Sequence, residues 1–242
     1  MANRLPSMPL VWIDCEMTGL DPDSDVILEI HCFITDGQLN LVKSQNDDTS
    51  LDKNDVNKEE RYRLQPDEDA GWGAIIHVEK ARLDQMDEWC TDHHGRSGLT
   101  EAVLASTTTH KEAADGLLAY IQKHIPEKGV GLLAGNSVHA DKAFLRLAPY
   151  NRVMDHLHYR ILDVSTIKEA VRRWQPPTAK PKEVTVDGVP LPRAAEKSSM
   201  ITNKDSRHRA REDILDSIAE ARYYKTLLFD EPADVAARKA GH

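Results

Sequence analysis

Asp14 and Glu16 stand two residues apart at the end of the apolar run Leu10-Val11-Trp12-Ile13. Side chains i and i+2 of a strand share one face, so these carboxylates are expected side by side. Two anions held that close repel, and withdrawing either from water without a partner is costly. Either a divalent cation neutralises them or they are two solvated acids at a strand end. Farther along, Asp141 follows the apolar run Gly131-Leu132-Leu133-Ala134 and the turn Gly135-Asn136-Ser137. His208 and Asp213 lie in His208-Arg209-Ala210-Arg211-Glu212-Asp213, where a long helical pattern opens. Carboxylate oxygens suit hard cations such as Mg²⁺ and Mn²⁺. Four of them can hold two ions about 3.5–4 Å apart, a spacing that clamps the attacking and leaving oxygens of a phosphodiester. His208 would then take a proton from the attacking water near neutral pH.

His208 and Asp213 are five positions apart, which does not place them on one helix face at 3.6 residues per turn. Either His208 sits in a loop before the helix, or Glu212, four positions on, competes as a ligand. The loop is preferred, because the residues before His208 are irregular and the strong pattern begins after it.

These five residues, in this order, resemble the Asp-Glu-Asp-Asp-His exonuclease superfamily. The words around them are similar to those of the oligoribonuclease family: Trp12-Ile13-Asp14-Cys15-Glu16-Met17-Thr18-Gly19-Leu20, Gly135-Asn136-Ser137, His158-Tyr159-Arg160-Ile161-Leu162-Asp163-Val164-Ser165, and His208 with four residues between it and Asp213. The resemblance runs from about residue 10 to 229. It implies 3′-to-5′ hydrolysis of RNAs a few nucleotides long, from dinucleotides to about pentanucleotides, releasing nucleoside 5′-monophosphates. Asp14, Glu16, Asp141 and Asp213 would hold two Mg²⁺ or Mn²⁺ ions, with His208 as general base. Leu20 would wedge between two bases and Trp89 would stack on one, a reading preferred over Trp89 as an anchor of a short helix to the core. Ser137, His94, Tyr159 and Arg160 would cap the 5′ phosphate, the last two reaching in from the other subunit of a homodimer. His93 is as plausible as His94. Two rivals stand beside this reading: a general exonuclease on longer RNA or single-stranded DNA, and a catalytically dead RNA-binding scaffold. The cap speaks against the first and the intact set of five against the second.

Positioning such a site takes a mixed sheet. The apolar patterning predicts strands at 10–13, 26–34 and 74–78, with 38–43 as a hairpin partner across Thr35-Asp36-Gly37. Helix 113–125 stops at Pro126. Then follow strand 131–134, helix 141–147, strand 160–164 and helices 165–174 and 211–228. An antiparallel start followed by crossover helices fits an α/β, ribonuclease-H-like mixed sheet flanked by helices. One exonuclease domain would span the 242 residues, with two insertions. The first, about 46–70, carries nine acids against four bases and has too few apolar residues to bury. The second, about 176–207, holds five of the twelve prolines. With the run on to Arg211 it carries eight bases against four acids, which reads as a solvated linker or as a flap for RNA phosphates.

A net charge of −9 argues against coating long nucleic acid, which needs a basic surface. Cys15, Cys32 and Cys90 are scattered without Cys-x-x-Cys spacing, as in a reducing compartment. No run approaches the ~18 apolar residues of a membrane span, and an intracellular location, cytoplasmic or mitochondrial, is expected. Nine residues before the first strand are too few for an ordinary signal peptide; a longer natural N-terminus with a targeting segment stays open. Trp12, Trp72 and Trp174 read as packing. His156-x-His158 lacks a third zinc ligand. Asp21, Asp23 and Asp25 lack the later Gly and Glu of a calcium loop and read as a solvated turn.

Overall fold

Alternation along the first strand decides which face carries the acids. A computed structural model describes residues 8–42, 71–174, 185–186, 189–190 and 209–229. In it β1 runs Leu10–Met17 and pairs antiparallel with β2, Ile27–Thr35. Val11, Ile13 and Cys15 point to one face, into a cluster with Leu117 and Ile121. Leu10 and Trp12 point to the other, into a cluster with Ile214, Ile218 and Tyr224. Asp14 and Glu16 continue that second row. The acids therefore lie inside β1, not beyond its end as expected, because backbone pairing with β2 carries the strand on to Met17.

The remaining strands extend the sheet on both sides. β3 (Trp72–Ile75) pairs antiparallel with β2, whereas β4 (Leu132–Gly135) and β5 (His158–Asp163) run parallel to β1, in the order β3-β2-β1-β4-β5. This is the expected antiparallel start with parallel crossovers, a ribonuclease-H-like mixed sheet. Two details differ. Among the described residues the 38–43 partner strand is reduced to one bridge between Thr35 and Leu41. There the Asp36 carboxylate accepts from the backbone N–H groups of Gln38 and Asn40, closing a local turn. The strand expected at 74–78 begins and ends earlier; Ile76 and Val78 are buried past its end.

Helices cover both faces. The short helices α1 (Lys80–Leu83), α2 (Glu88–Arg96) and α3 (Leu99–Ala105) follow β3. α4 (His110–His124) starts three residues before the expected 113, because Thr109 and Glu112 form a capping box that satisfies orphan N–H groups of the first turn. α5 (His139–Leu145), α6 (Asn151–His156) and α7 (Val164–Trp174) follow β4 and β5. β6 (Thr185–Val186) and β7 (Val189–Pro190) form a separate antiparallel pair. α8 (Ala210–Leu228) lays Ile214, Ile218, Ala221 and Tyr224 on the Trp12 face. Burial of each of these two isoleucine side chains contributes roughly 1.5–3 kcal/mol.

The tryptophans divide. Trp12 is fully buried and its indole donates to Thr35 Oγ1 at 2.9 Å. Trp72 lies against Gly116, where a Cβ would come within 3.0 Å of the ring. Trp174 was expected to pack but is 78% exposed: it is the last residue of α7, past the point where that helix meets the core. His156 is buried and its Nε2 faces the Ile125 carbonyl at 2.8 Å. Among the described residues no helix is long and apolar enough to cross a membrane.

Candidate active site

The acidic row of β1 continues past Trp12 to the point where α8 begins. Carboxylate oxygens of Asp14, Glu16 and Asp213 come within 4.8 Å of one another. Asp213 sits in the first turn of α8, where the helix dipole favours an anion. Asp141, in the first turn of α5, is buried and accepts a hydrogen bond from the Cys15 backbone N–H at 2.9 Å. Burial, then the charges of Asp141, Asp213, Glu16 and Glu29, hold the Asp14 carboxyl well above the usual range. Burial and the same kind of crowding raise Glu16 to about 8, and burial raises Asp141 to about 7. Four acids that repel one another inside a fold are poorly served by protons near neutral pH and well served by a hard cation. The donor set is all oxygen, which fits a divalent metal and not a thiolate or imidazole site.

Of the two expectations for α8, Glu212 does not join this set: its side chain is more than half exposed and pairs with Arg211 at 3.6 Å. The helix starts at Ala210 with Arg209 as N-cap. His208 itself lies outside the described residues, as do most of the two insertions.

Around the acids the other singled-out residues fall into separate groups. Leu20 is 78% exposed on the turn that follows β1. That turn is not merely solvated. Arg82 donates to Asp25 Oδ1 at 2.6 Å and Thr18 Oγ1 at 2.7 Å, and Asp25 accepts from the Asp21 N–H at 3.0 Å. Partial burial works against the Asp25 anion, but bonds from Asp21, Thr18 and Arg82 outweigh it and lower its pKa. Trp89 lies on α2, 63% exposed, stacked on His93 with ring centroids 4.1 Å apart; it does not anchor that helix. Beside it His94 is buried, its Nε2 facing the Met17 carbonyl at 2.9 Å and its Nδ1 4.0 Å from Glu16. A carbonyl only accepts, so Nε2 carries the proton, and burial lowers the pKa of the ring.

Ser137 has φ +50°, a strained conformation for a residue with a Cβ. Its N–H donates to Asp163 Oδ1 at 3.0 Å and to Ser165 Oγ at 3.1 Å, and its hydroxyl meets Ser165 Oγ at 3.2 Å. Tyr159 is 72% exposed on β5, with the Arg160 guanidinium 5.1 Å from its ring centroid. Tyr159 and Arg160 therefore stand at the sheet edge, apart from the acids of β1.

The exonuclease family model (RNase_T) matches residues 11–65 and 74–221. The mitochondrial oligoribonuclease of Saccharomyces cerevisiae is 41% identical over 89% of this chain and 66% of its own length. That of Bos taurus is 39% identical over 98% of this chain and 81% of its own, and the oligoribonuclease of Marinobacter nauticus 38% over 91% and 96%. The chain belongs to the oligoribonuclease family. Escherichia coli exonuclease I in complex with a dT13 oligonucleotide shares the fold, with a TM-score of 0.53 at 16% identity over 90% of this chain and 41% of its own.

Nothing in the family's motifs marks two further residues at the acidic centre. Glu29 on β2 is the cross-strand partner of Glu16, and Arg209 pairs with it at 2.8 Å. The only sequence signal is a carboxylate amid an apolar strand, Leu28-Glu29-Ile30, with no cation nearby in sequence. Ser165 and Asp163, which hold Ser137, lie in the quoted words but carry no role by spacing alone.

Proposed function

We propose that this chain is a metal-dependent 3′-to-5′ exoribonuclease of very short RNAs, dinucleotides above all, and that it releases nucleoside 5′-monophosphates. The observation that carries the reading is the convergence of Asp14, Glu16 and Asp213 within 4.8 Å, beside a buried Asp141, in a chain of this family. Asp14, Glu16, Asp141 and Asp213 would hold two divalent cations, Mg²⁺ or Mn²⁺. When bound, these supply Lewis-acid stabilisation of the charge developing on the phosphodiester. His208 takes the proton of the attacking water, a contribution of roughly 10²–10⁴-fold. Leu20 and the open face of Trp89 hold the bases; stacking on an indole is worth about 1–3 kcal/mol per base and tolerates any sequence. Ser137, His94, Tyr159 and Arg160 meet the 5′ phosphate, with Arg160 suited to bidentate pairing. For His94 this needs the ring to leave the Met17 carbonyl.

A homodimer is part of the reading. β5 is the last strand of the sheet, and Arg160 also lines an apolar groove of about 470 Å³ with Leu132, Leu162, Ile167 and Phe229, a face suited to a second copy. The family match from residue 11 to 221 supports one exonuclease domain. The names of the yeast and bovine relatives favour a mitochondrial over a cytoplasmic location. The substrate reading is tested with labelled, 5′-phosphorylated RNAs of two, five and twenty nucleotides. Turnover is expected to be most efficient on the shortest. Equal efficiency on all three would instead favour an exonuclease of long RNA.

A further inference from the structure

Two features of Arg209 run against local propensity. Arginine is not a favoured N-cap residue, and a cation at a helix N-terminus opposes the helix dipole. Its side chain makes no capping bond. It reaches across to β2, where its Nε donates to Glu29 at 3.0 and 3.2 Å and its Nη2 at 2.8 Å. Glu29 is equally out of place, a carboxylate with 7% of its side chain exposed between the fully buried Leu28 and Ile30. Where local rules break on both sides of one contact, a site is the usual reason. A buried pair of this kind needs good geometry and does little for net stability beyond what apolar residues would do.

What the pair joins is specific. Glu29 lies opposite Glu16 in the β1–β2 ladder. The Arg209 carbonyl accepts from the Asp213 N–H at 3.2 Å. One residue thus touches the strand position facing Glu16 through its side chain and the backbone of Asp213 through its carbonyl. We propose that the Arg209–Glu29 pair is a positioning clamp for the metal centre, setting the separation of Glu16 on β1 from Asp213 on α8. The clamp also cancels a fifth carboxylate that would otherwise stand unpaired beside the other four. This inference rests on the reading of the acids as metal ligands.

The test is thermal melting of metal-free protein titrated with Mn²⁺ or Mg²⁺, since a ligand that binds only the folded state raises the melting temperature with its occupancy. Residues behind metal ligands typically contribute 10–100-fold to affinity. Glu29→Gln and Arg209→Gln are each expected to move the metal midpoint upward by about 10-fold. Arg209→Lys, which keeps the charge but not the two-pronged bond, is expected to fall between wild type and Arg209→Gln, and it serves if the glutamine variant does not fold. A purely electrostatic effect predicts opposite signs: Arg209→Gln leaves an extra anion and would tighten metal binding. Tightening in that variant overturns the clamp. So does a lower melting temperature in all variants with an unchanged midpoint, the mark of a merely structural pair. Absence of metal stabilisation in the wild type would remove the metal reading itself, a distinct failure.

Discussion

At the scale of single residues, the acidic centre costs the metal-free fold stability. Glu16 and Asp141 have folded pKa values of about 8 and about 7, above ordinary unfolded values near 4. A group whose folded pKa is raised binds its proton more tightly in the folded chain. Its stabilising contribution is present below the unfolded value and is lost as pH rises through the folded one. Metal-free protein should therefore lose melting temperature between about pH 4.5 and 8, and the gain from added Mg²⁺ should grow across the same interval. A flat metal-free profile over that range would mean that the acids do not repel as their burial implies. Asp14→Asn removes one of the repelling charges, so that variant should melt higher than wild type at pH 8 without metal. For His208, replacement by Ala should lower kcat by roughly 10²–10⁴-fold with the metal midpoint unchanged, as measured by single-turnover hydrolysis.

At the scale of elements, the helix and the turn that deliver site residues are held in different ways. α8 is held by apolar burial: Ile218 is fully buried against the Trp12 face. Ile218→Ala should cost about 2–5 kcal/mol, seen as a lowered denaturation midpoint. The Leu20 turn is held by polar bonds among Arg82, Asp25 and Thr18. Asp25→Ala frees that turn; KM for a dinucleotide should rise with kcat nearly unchanged, and an unchanged KM would remove Leu20 from the binding surface. Much of this was legible in the chain. The i, i+2 rule puts Asp14 and Glu16 on one face, and the helical pattern after Arg209 brings Asp213 into the first turn of α8. What was not legible depends on long-range register. Glu29 and Arg209 are 180 residues apart, and only the β1–β2 ladder sets Glu29 opposite Glu16. The burial of His94, one residue from the stacked His93, turns on how α2 meets the end of β1. The exposure of Trp174 turns on where α7 outruns the core.

At the scale of the whole molecule, a chain of net charge −9 has little to offer a long polyanion. Hydrolysis of a dinucleotide should accordingly show a shallow salt dependence, since few phosphates are contacted. If Tyr159 and Arg160 complete a neighbour's site, mixing Arg160→Ala chains with His208→Ala chains should restore activity, because one hybrid site receives both intact groups. No recovery in demonstrably mixed dimers would place the cap within one chain. The most direct measurement is release of mononucleotide from a 5′-phosphorylated RNA dinucleotide in Mg²⁺ or Mn²⁺, by wild type and by Asp14→Asn and Asp213→Asn variants of verified fold. Rapid release by wild type and a loss of more than about 100-fold in both variants is the predicted result. Release by either folded variant at the wild-type rate would contradict the assignment of phosphodiester hydrolysis to this acidic centre.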